Sequence, residues 1–241
     1  MSRMRLMFMR EAFKGVWMDR RRIFTASLVP HDVSFAKSTI MKDGREFREW
    51  DPERSKPAAA ILKGIGNFPI GEGCKVLYLG IASGATASFF SDIVGENGVI
   101  YGVEISERSV RDLNAVAEKR GNIVPILADA RKPEEYAWVE PVDVVYEDVA
   151  SDDQSPIIIR NSERFLKKDG HAVIAIKARS IDVTKEPRKV YAEELEKLAK
   201  HFKILEKVEL DPFEKDHLFV IMRPKKQEEC DHARKHNPSR H

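Results

Sequence analysis

Four charged side chains close or directly follow four apolar runs, in places where a charge needs a partner or a purpose. Glu104 lies near the end of "VIYGVEI", Asp129 ends "IVPILAD", Asp148 follows "VDVVYE", and Lys177 lies at the end of "HAVIAIKA". If these runs are buried parallel strands, the charges share one rim of a sheet, the rim where open α/β folds bind ligands. Glu104, 24 positions after Gly80, is placed to accept hydrogen bonds from ribose hydroxyls, and Asp129 to read an adenine amino group. Neighbouring strand ends bring Asp148 and Lys177 within reach of each other. Either alone reads as a rim salt bridge; together, beside a ligand, they read as catalytic. His217 opens "HLFVIMRP", a position more often structural than catalytic, and Lys56 in "DPERSKPAAAI" reads locally as an exposed helix-start lysine.

The ligand is written in "KVLYLGIASGATAS", residues 75–88. A strand ends at Gly80, a loop without large side chains follows, and a helix begins near Gly84. Small residues let the main chain approach a ligand, and free N–H groups at the helix start favour a carboxylate or other anion. The third glycine of a G-x-G-x-x-G fingerprint is missing. A dinucleotide pyrophosphate needs that close approach, whereas a methionine moiety presents one carboxylate and one ammonium, for which Ala82, Ser83 and Thr86 suffice. The loop therefore favours S-adenosylmethionine over NAD. A glycine turn with no ligand is the plain alternative, and two acids at the next strand ends speak against it.

These side chains need a scaffold, and the chain supplies βαβ rhythm from residue 75 onward. The runs 75–80, 99–105, 123–129, 142–149 and 171–178 alternate with the helical stretches 86–95, 106–120 and 152–168. Ser106 is a helix N-cap, with Val110, Leu113, Val116 and Ala117 on one face. After a helix over 186–202, the runs 203–210 and 217–224 are separated only by "DPFEKD". Six residues cannot hold a crossover helix, so this last pair is antiparallel. Five parallel strands and a closing antiparallel hairpin are the order of the α/β class I (Rossmann-like) methyltransferase fold with a seven-stranded sheet. Residues 1–55 lack that rhythm and predict a small antiparallel β domain, with strands in 21–29, 32–41 and 45–50 and turns at Pro30–His31 and Asp43–Gly44. The methyltransferase domain spans 56–224, and 225–241 is expected to be an unstructured tail.

Composition narrows the setting. Hydrophobic residues make up 42% and charged residues 33% of 241, no apolar run approaches a membrane span, and the two cysteines form no disulfide framework. A cytoplasmic protein without membrane association is expected, and the basic, Met-rich start reads as an ordinary N-terminal element rather than a leader. Cys230, His232, His236 and His241 have no matching upstream ligand pair, so no metal is expected. The net charge is +2, yet residues 1–24 carry +5 and residues 223–241 carry +3, leaving −6 for the body. Basic ends suit nucleic-acid contact, but an acidic body needs help to hold RNA.

Taken together, "REWDPERSKPAAAIL", "VLYLGIASGATASFFSDIVG", "NIVPILADARKPEEY", "VDVVYEDVA", "IAIKARSIDVTKEP" and "PFEKDHLFV" closely resemble the fibrillarin family in its short, archaeal-type form, over roughly residues 45–224. The resemblance implies S-adenosylmethionine-dependent methylation of ribose 2′-hydroxyls in ribosomal and transfer RNA. It implies box C/D guide RNA, a Nop-family scaffold protein and a kink-turn-binding protein in the same particle. The family's Lys-Asp-Lys-His set falls on Lys56, Asp148, Lys177 and His217. Lys177 would stand nearest the hydroxyl, as a base or as an electrostatic aid. Asp148 would orient it, and Lys56 and His217 would position the ribose. Cofactor contacts would fall on Gly80, Ala82, Ser83, Gly84, Ala85, Thr86, Glu104, Ile105, Asp129, Ala130, Asp148, Val149, Ala150 and Gln154. The sequence departs from the family pattern at Ala85 (usually Thr), Phe89 (usually His) and Ser151 (usually Gln). A small-molecule O-methyltransferase and a non-catalytic scaffold subunit are the competing readings.

Overall fold

A computed structural model of the chain describes residues 8–225. The tail expectations beyond Lys225, with their cysteine and histidines, lie outside the described residues. Five short strands come first: β1 (Arg10–Phe13), β2 (Val16–Asp19), β3 (Arg22–Ala26), β4 (Thr39–Lys42) and β5 (Arg45–Trp50). They form an antiparallel sheet in the order β1-β2-β3-β5-β4. The expected Asp43–Gly44 turn joins β4 to β5, both residues in the left-handed region (φ +50° and +75°) that a two-residue hairpin loop requires. The strand expected over 32–41 is shorter, Thr39–Lys42 only. Asp32 accepts from the Ser34 amide at 3.1 Å and from Arg120 Nη2 at 2.9 Å, which turns the preceding segment inward. Strands β1 and β2 were not expected, because their Met-rich, basic residues show no clean alternation.

The second sheet is the expected one. Helix α1 (Lys56–Leu62) leads into β6 (Lys75–Leu79), α2 (Ala85–Val94), β7 (Val99–Glu104), α3 (Glu107–Arg120) and β8 (Ile123–Leu127). Then follow β9 (Val142–Glu147), α4 (Gln154–Phe165), β10 (Leu166–Lys177), α5 (Ala178–Ile181), α6 (Pro187–His201), β11 (Phe202–Glu209) and β12 (His217–Pro224). The order is β11-β12-β10-β9-β6-β7-β8, with β12 antiparallel to both neighbours and the remaining pairs parallel. Two departures are local. A 3-10 turn covers Pro133–Tyr136, and the helix expected to reach Lys168 stops at Phe165. Leu166 already has extended φ/ψ, and the register against β9 shifts between Leu166 and His171.

Strand alternation puts the two cores on opposite faces. Val76 and Tyr78 pack with α1, α2 and α3; Leu77 and Leu79 pack with α4 and α6. Because β6 has β7 on one side and β9 on the other, the sheet reverses its winding between β6 and β9. That switch point opens a crevice at the carboxyl ends of the strands. The small sheet shares the first core: Trp50 stacks on Phe89 of α2 at 5.2 Å, 12° from parallel.

Candidate active site

The crevice holds a cavity of about 370 Å³ at the ends of β6, β7, β8, β9 and β10. Gly80 is required on its floor. Its φ is +76°, and a Cβ there would meet the Asp148 carbonyl and Val149 Cα at 3.0 Å. Ala82 also adopts a positive φ (+52°), uncommon for a residue with a Cβ, so the loop holds a constrained backbone. Glu104 braces it: Oε2 accepts from the Ala82 amide and Oε1 from the Ser106 amide, both at 2.9 Å. A carboxylate fixed this way keeps lone pairs for hydroxyls, which fits the ribose of an adenosine cofactor. Asp129 meets Arg131, accepting from its amide at 3.0 Å and its Nε at 3.0 Å. Burial pushes the Asp129 carboxyl up, but these Arg131 contacts outweigh it and the net direction is down.

Alternation also explains the charged cluster. Val144 and Tyr146, Val173 and Ala175, and Phe219 and Ile221 all face the core that contains α1. Continuing each period of two puts Asp148, Lys177 and His217 on that same face, towards the helix that begins with Lys56. Lys177 and His217 are direct cross-strand partners. Asp148 Oδ1 lies 2.9 Å from Lys177 Nζ and 3.1 Å from Lys56 Nζ, ion-pair contacts off the hydrogen-bond axis. Lys56 also donates to Asp148 Oδ2 at 3.3 Å, and Lys177 to the Asp148 carbonyl at 2.8 Å. The Lys56 side chain is only 15% exposed, so its local reading as a solvent lysine is corrected. His217 Nδ1 lies 2.6 Å from the Lys215 carbonyl. A carbonyl only accepts, so Nδ1 carries the proton and Nε2 keeps a lone pair. Burial holds the imidazole below its usual titration range, Lys56 and Lys177 adding to that against the Lys215 carbonyl and Glu214.

Of the expected cofactor residues, Gly80, Ala82, Glu104, Ile105, Asp129, Ala130, Asp148, Val149 and Ala150 line the cavity, with Lys177. Ser83, Gly84, Ala85, Thr86 and Gln154 are not in its wall. Thr86 is buried, its hydroxyl 2.9 Å from that of Ser55, the N-cap of α1. Gln154 is fully buried and acts as a clamp. Its amide donates to the Val149 and Ala175 carbonyls at 2.8 and 3.2 Å and accepts from the Lys177 amide at 2.9 Å. Val103, Ala128, Arg131 and Ile157 line the wall unannounced, and Ser151, noted above only as a departure from the family pattern, joins them. Arg131, two residues beyond an expected acid in "DARKP", carried the one signal that a reading of the sequence could have used.

A profile of the family described as Fibrillarin matches residues 7–226, so the likeness takes in the small sheet as well. The chain belongs to the fibrillarin family. A fibrillarin-like rRNA/tRNA 2′-O-methyltransferase of Pyrococcus furiosus is 50% identical over 219 residues, 88% of this chain and 96% of that protein. The crystal structure of Aeropyrum pernix fibrillarin with natively bound S-adenosyl-L-methionine superposes with a TM-score of 0.81 at 47% identity, covering 88% of this chain and 96% of that one. A fibrillarin in complex with Nop5p gives 0.82 at 39% identity, over 90% of this chain and all of that one. Phe89, where the resemblance implied a histidine, is packed into the joint between the two sheets. Its ring lies between Trp50 and the Arg48 guanidinium, which sits 4.6 Å from the ring centroid. Ser151, where the resemblance implied a glutamine, turns its hydroxyl to the Asp153 carboxylate.

Proposed function

We propose that this chain methylates ribose 2′-hydroxyls of ribosomal and transfer RNA, on nucleotides selected by a box C/D guide RNA. The observation that carries the reading is the meeting of Lys56, Asp148, Lys177 and His217, from four separate parts of the chain, beside a crevice walled by Glu104 and Asp129. The chain is an S-adenosylmethionine-dependent RNA methyltransferase by family. A Nop-family scaffold is its proposed partner, by analogy with the fibrillarin–Nop5p complex; a kink-turn-binding protein, implied by the sequence resemblance alone, completes the proposed particle. The proposed setting is intracellular, where these RNAs reside; no helix among the described residues is long and apolar enough to cross a membrane.

When bound, the cofactor supplies a methyl group on a sulfonium, open to in-line displacement by a hydroxyl oxygen. The protein's task is to align that oxygen and accept its proton. Glu104 would hold the ribose hydroxyls of the cofactor, and Asp129 and Ala130 its base. Lys177 donates one N–H to the Asp148 carbonyl and rests its ammonium beside the Asp148 carboxylate, so N–H directions remain for the target hydroxyl. Both contacts fix where the Lys177 side chain stands at the rim, a placement that suits electrostatic help to the target hydroxyl. His217 Nε2, with a free lone pair and a titration range pushed down by burial, is the proposed proton acceptor.

Reconstitution with a scaffold protein and a guide RNA, followed by mapping of 2′-O-methyl marks, tests the reading. The wild-type chain should mark the guided nucleotide. Lys177→Ala should cut turnover by about 100-fold or more while cofactor affinity stays measurable. Full turnover in that variant would sink the assignment.

A further inference from the structure

The connection Asp211–Asp216 between β11 and β12 touches the charged cluster as well as reversing the chain. It is held at both ends of α1. Lys63, the C-cap of α1, donates through Nζ to the Asp211 carbonyl at 2.8 Å, and Glu214 places its carboxylate 3.8 Å from Lys56 Nζ at the first turn. The connection itself is firm. The amides of Phe213 and Glu214 donate to the carbonyl of fully buried Leu210 at 3.0 and 3.3 Å, and Phe213 packs on the core. The next residue, Lys215, supplies the carbonyl that fixes the His217 imidazole.

Glu214 meets a specific electrostatic need. Two ammonium groups lie about 3 Å from the same Asp148 oxygen, so they repel each other in a site whose lysine side chains are 15% exposed and weakly screened. One carboxylate between two lysines leaves a net positive charge; Glu214 makes the formal sum zero. We propose that Glu214 is a positioning residue for the methyl-transfer site, holding the Lys56 ammonium beside Asp148 and balancing the second lysine charge. The inference rests on the function proposed above. Glu214 touches Lys56 and acts on the reaction through it. The groups facing His217 are Lys56 from α1, Lys177 from β10 and Glu214 from the connection itself, so the imidazole reports on this balance.

The test uses Glu214→Gln and Glu214→Asp in the full chain, assayed in the reconstituted guided reaction, with the His217 titration followed by NMR on the protein alone. Glu214→Gln should lower kcat by about tenfold, the loss expected for one charge-assisted contact, while cofactor affinity and thermal midpoint stay near wild type. Its His217 titration should move to lower pH, and Glu214→Asp should recover part of both effects. Wild-type kcat together with an unmoved His217 titration in Glu214→Gln would overturn the inference. So would an equal loss in Glu214→Asp and Glu214→Gln with no titration shift. A wild-type chain that marks no guided nucleotide would instead sink the proposed function, and the titration would still judge Glu214.

Discussion

Glu147, next to Asp148, shows how completely alternation separates neighbouring side chains. Asp148 turns to the charged cluster, whereas Glu147 points to the other face and is fully buried. Both its carboxyl oxygens lack a hydrogen-bond partner among the described residues. Burial pushes this carboxyl well above its usual range, with Asp153 adding to the push, Lys177 opposing it, and Asp148 and Glu194 adding further. The folded chain therefore keeps this proton at pH values where the unfolded chain has lost it. Stability from this group is fully present below the unfolded value of 4.5 and is lost as pH rises towards the folded one. Glu147→Gln removes the titration. Its stability relative to wild type should climb as pH rises above 4.5, by up to about 1.4 kcal/mol per pH unit, as read by urea unfolding across a pH series. A difference that stays flat with pH would show that Glu147 is ionised in the fold.

Between elements, the small sheet is tied to α2 and α3 by an ion network rather than by apolar contact alone. The side chain of Asp92 of α2 is fully buried. It accepts from Arg48 Nη1 of β5 at 2.6 Å, Arg120 Nη1 of α3 at 2.7 Å, Thr25 Oγ1 at 2.6 Å and the Leu28 amide at 3.0 Å. Burial pulls the Arg48 guanidinium down and Arg120 adds to that, while Asp92 and Asp32 oppose it. Removing the central carboxylate leaves two buried guanidinium groups short of a counter-charge. Asp92→Asn should destabilise the fold by about 3–5 kcal/mol in denaturant unfolding, and a loss below about 1 kcal/mol would contradict this account. The same network explains why the segment over 32–38 is not a strand. Asp32 is committed to Arg120, and that tertiary demand overrides a local pattern suited to an extended edge.

At the scale of the whole molecule, charge and topology set what the chain can do alone. The body between the basic ends carries −6, and the cofactor crevice itself is walled by Glu104, Asp129 and Asp148. Sequence-independent RNA affinity comes from releasing counterions against clustered Lys and Arg, and this distribution offers few such clusters. The isolated chain should bind RNA weakly, measurable by fluorescence anisotropy at two salt concentrations. Scaffold and guide RNA should restore tight binding. Tight, salt-insensitive binding by the isolated chain would contradict the partner-dependent reading.

The sequence by itself determined the parallel sheet, its antiparallel end and the strand-end acids, because apolar runs, turn residues and connection length are local properties. It also carried the four members of the charged set, Lys56 and His217 through family likeness rather than through any local signal. Only the tertiary structure decided which side chains share a face and which carbonyl fixes which donor. It turned Thr86 to Ser55, made Gln154 a clamp on Lys177, and brought Glu214 to Lys56. Those contacts join residues from 23 to 158 positions apart. Their energies exist only when the chain is packed, so no pattern along the sequence encodes them.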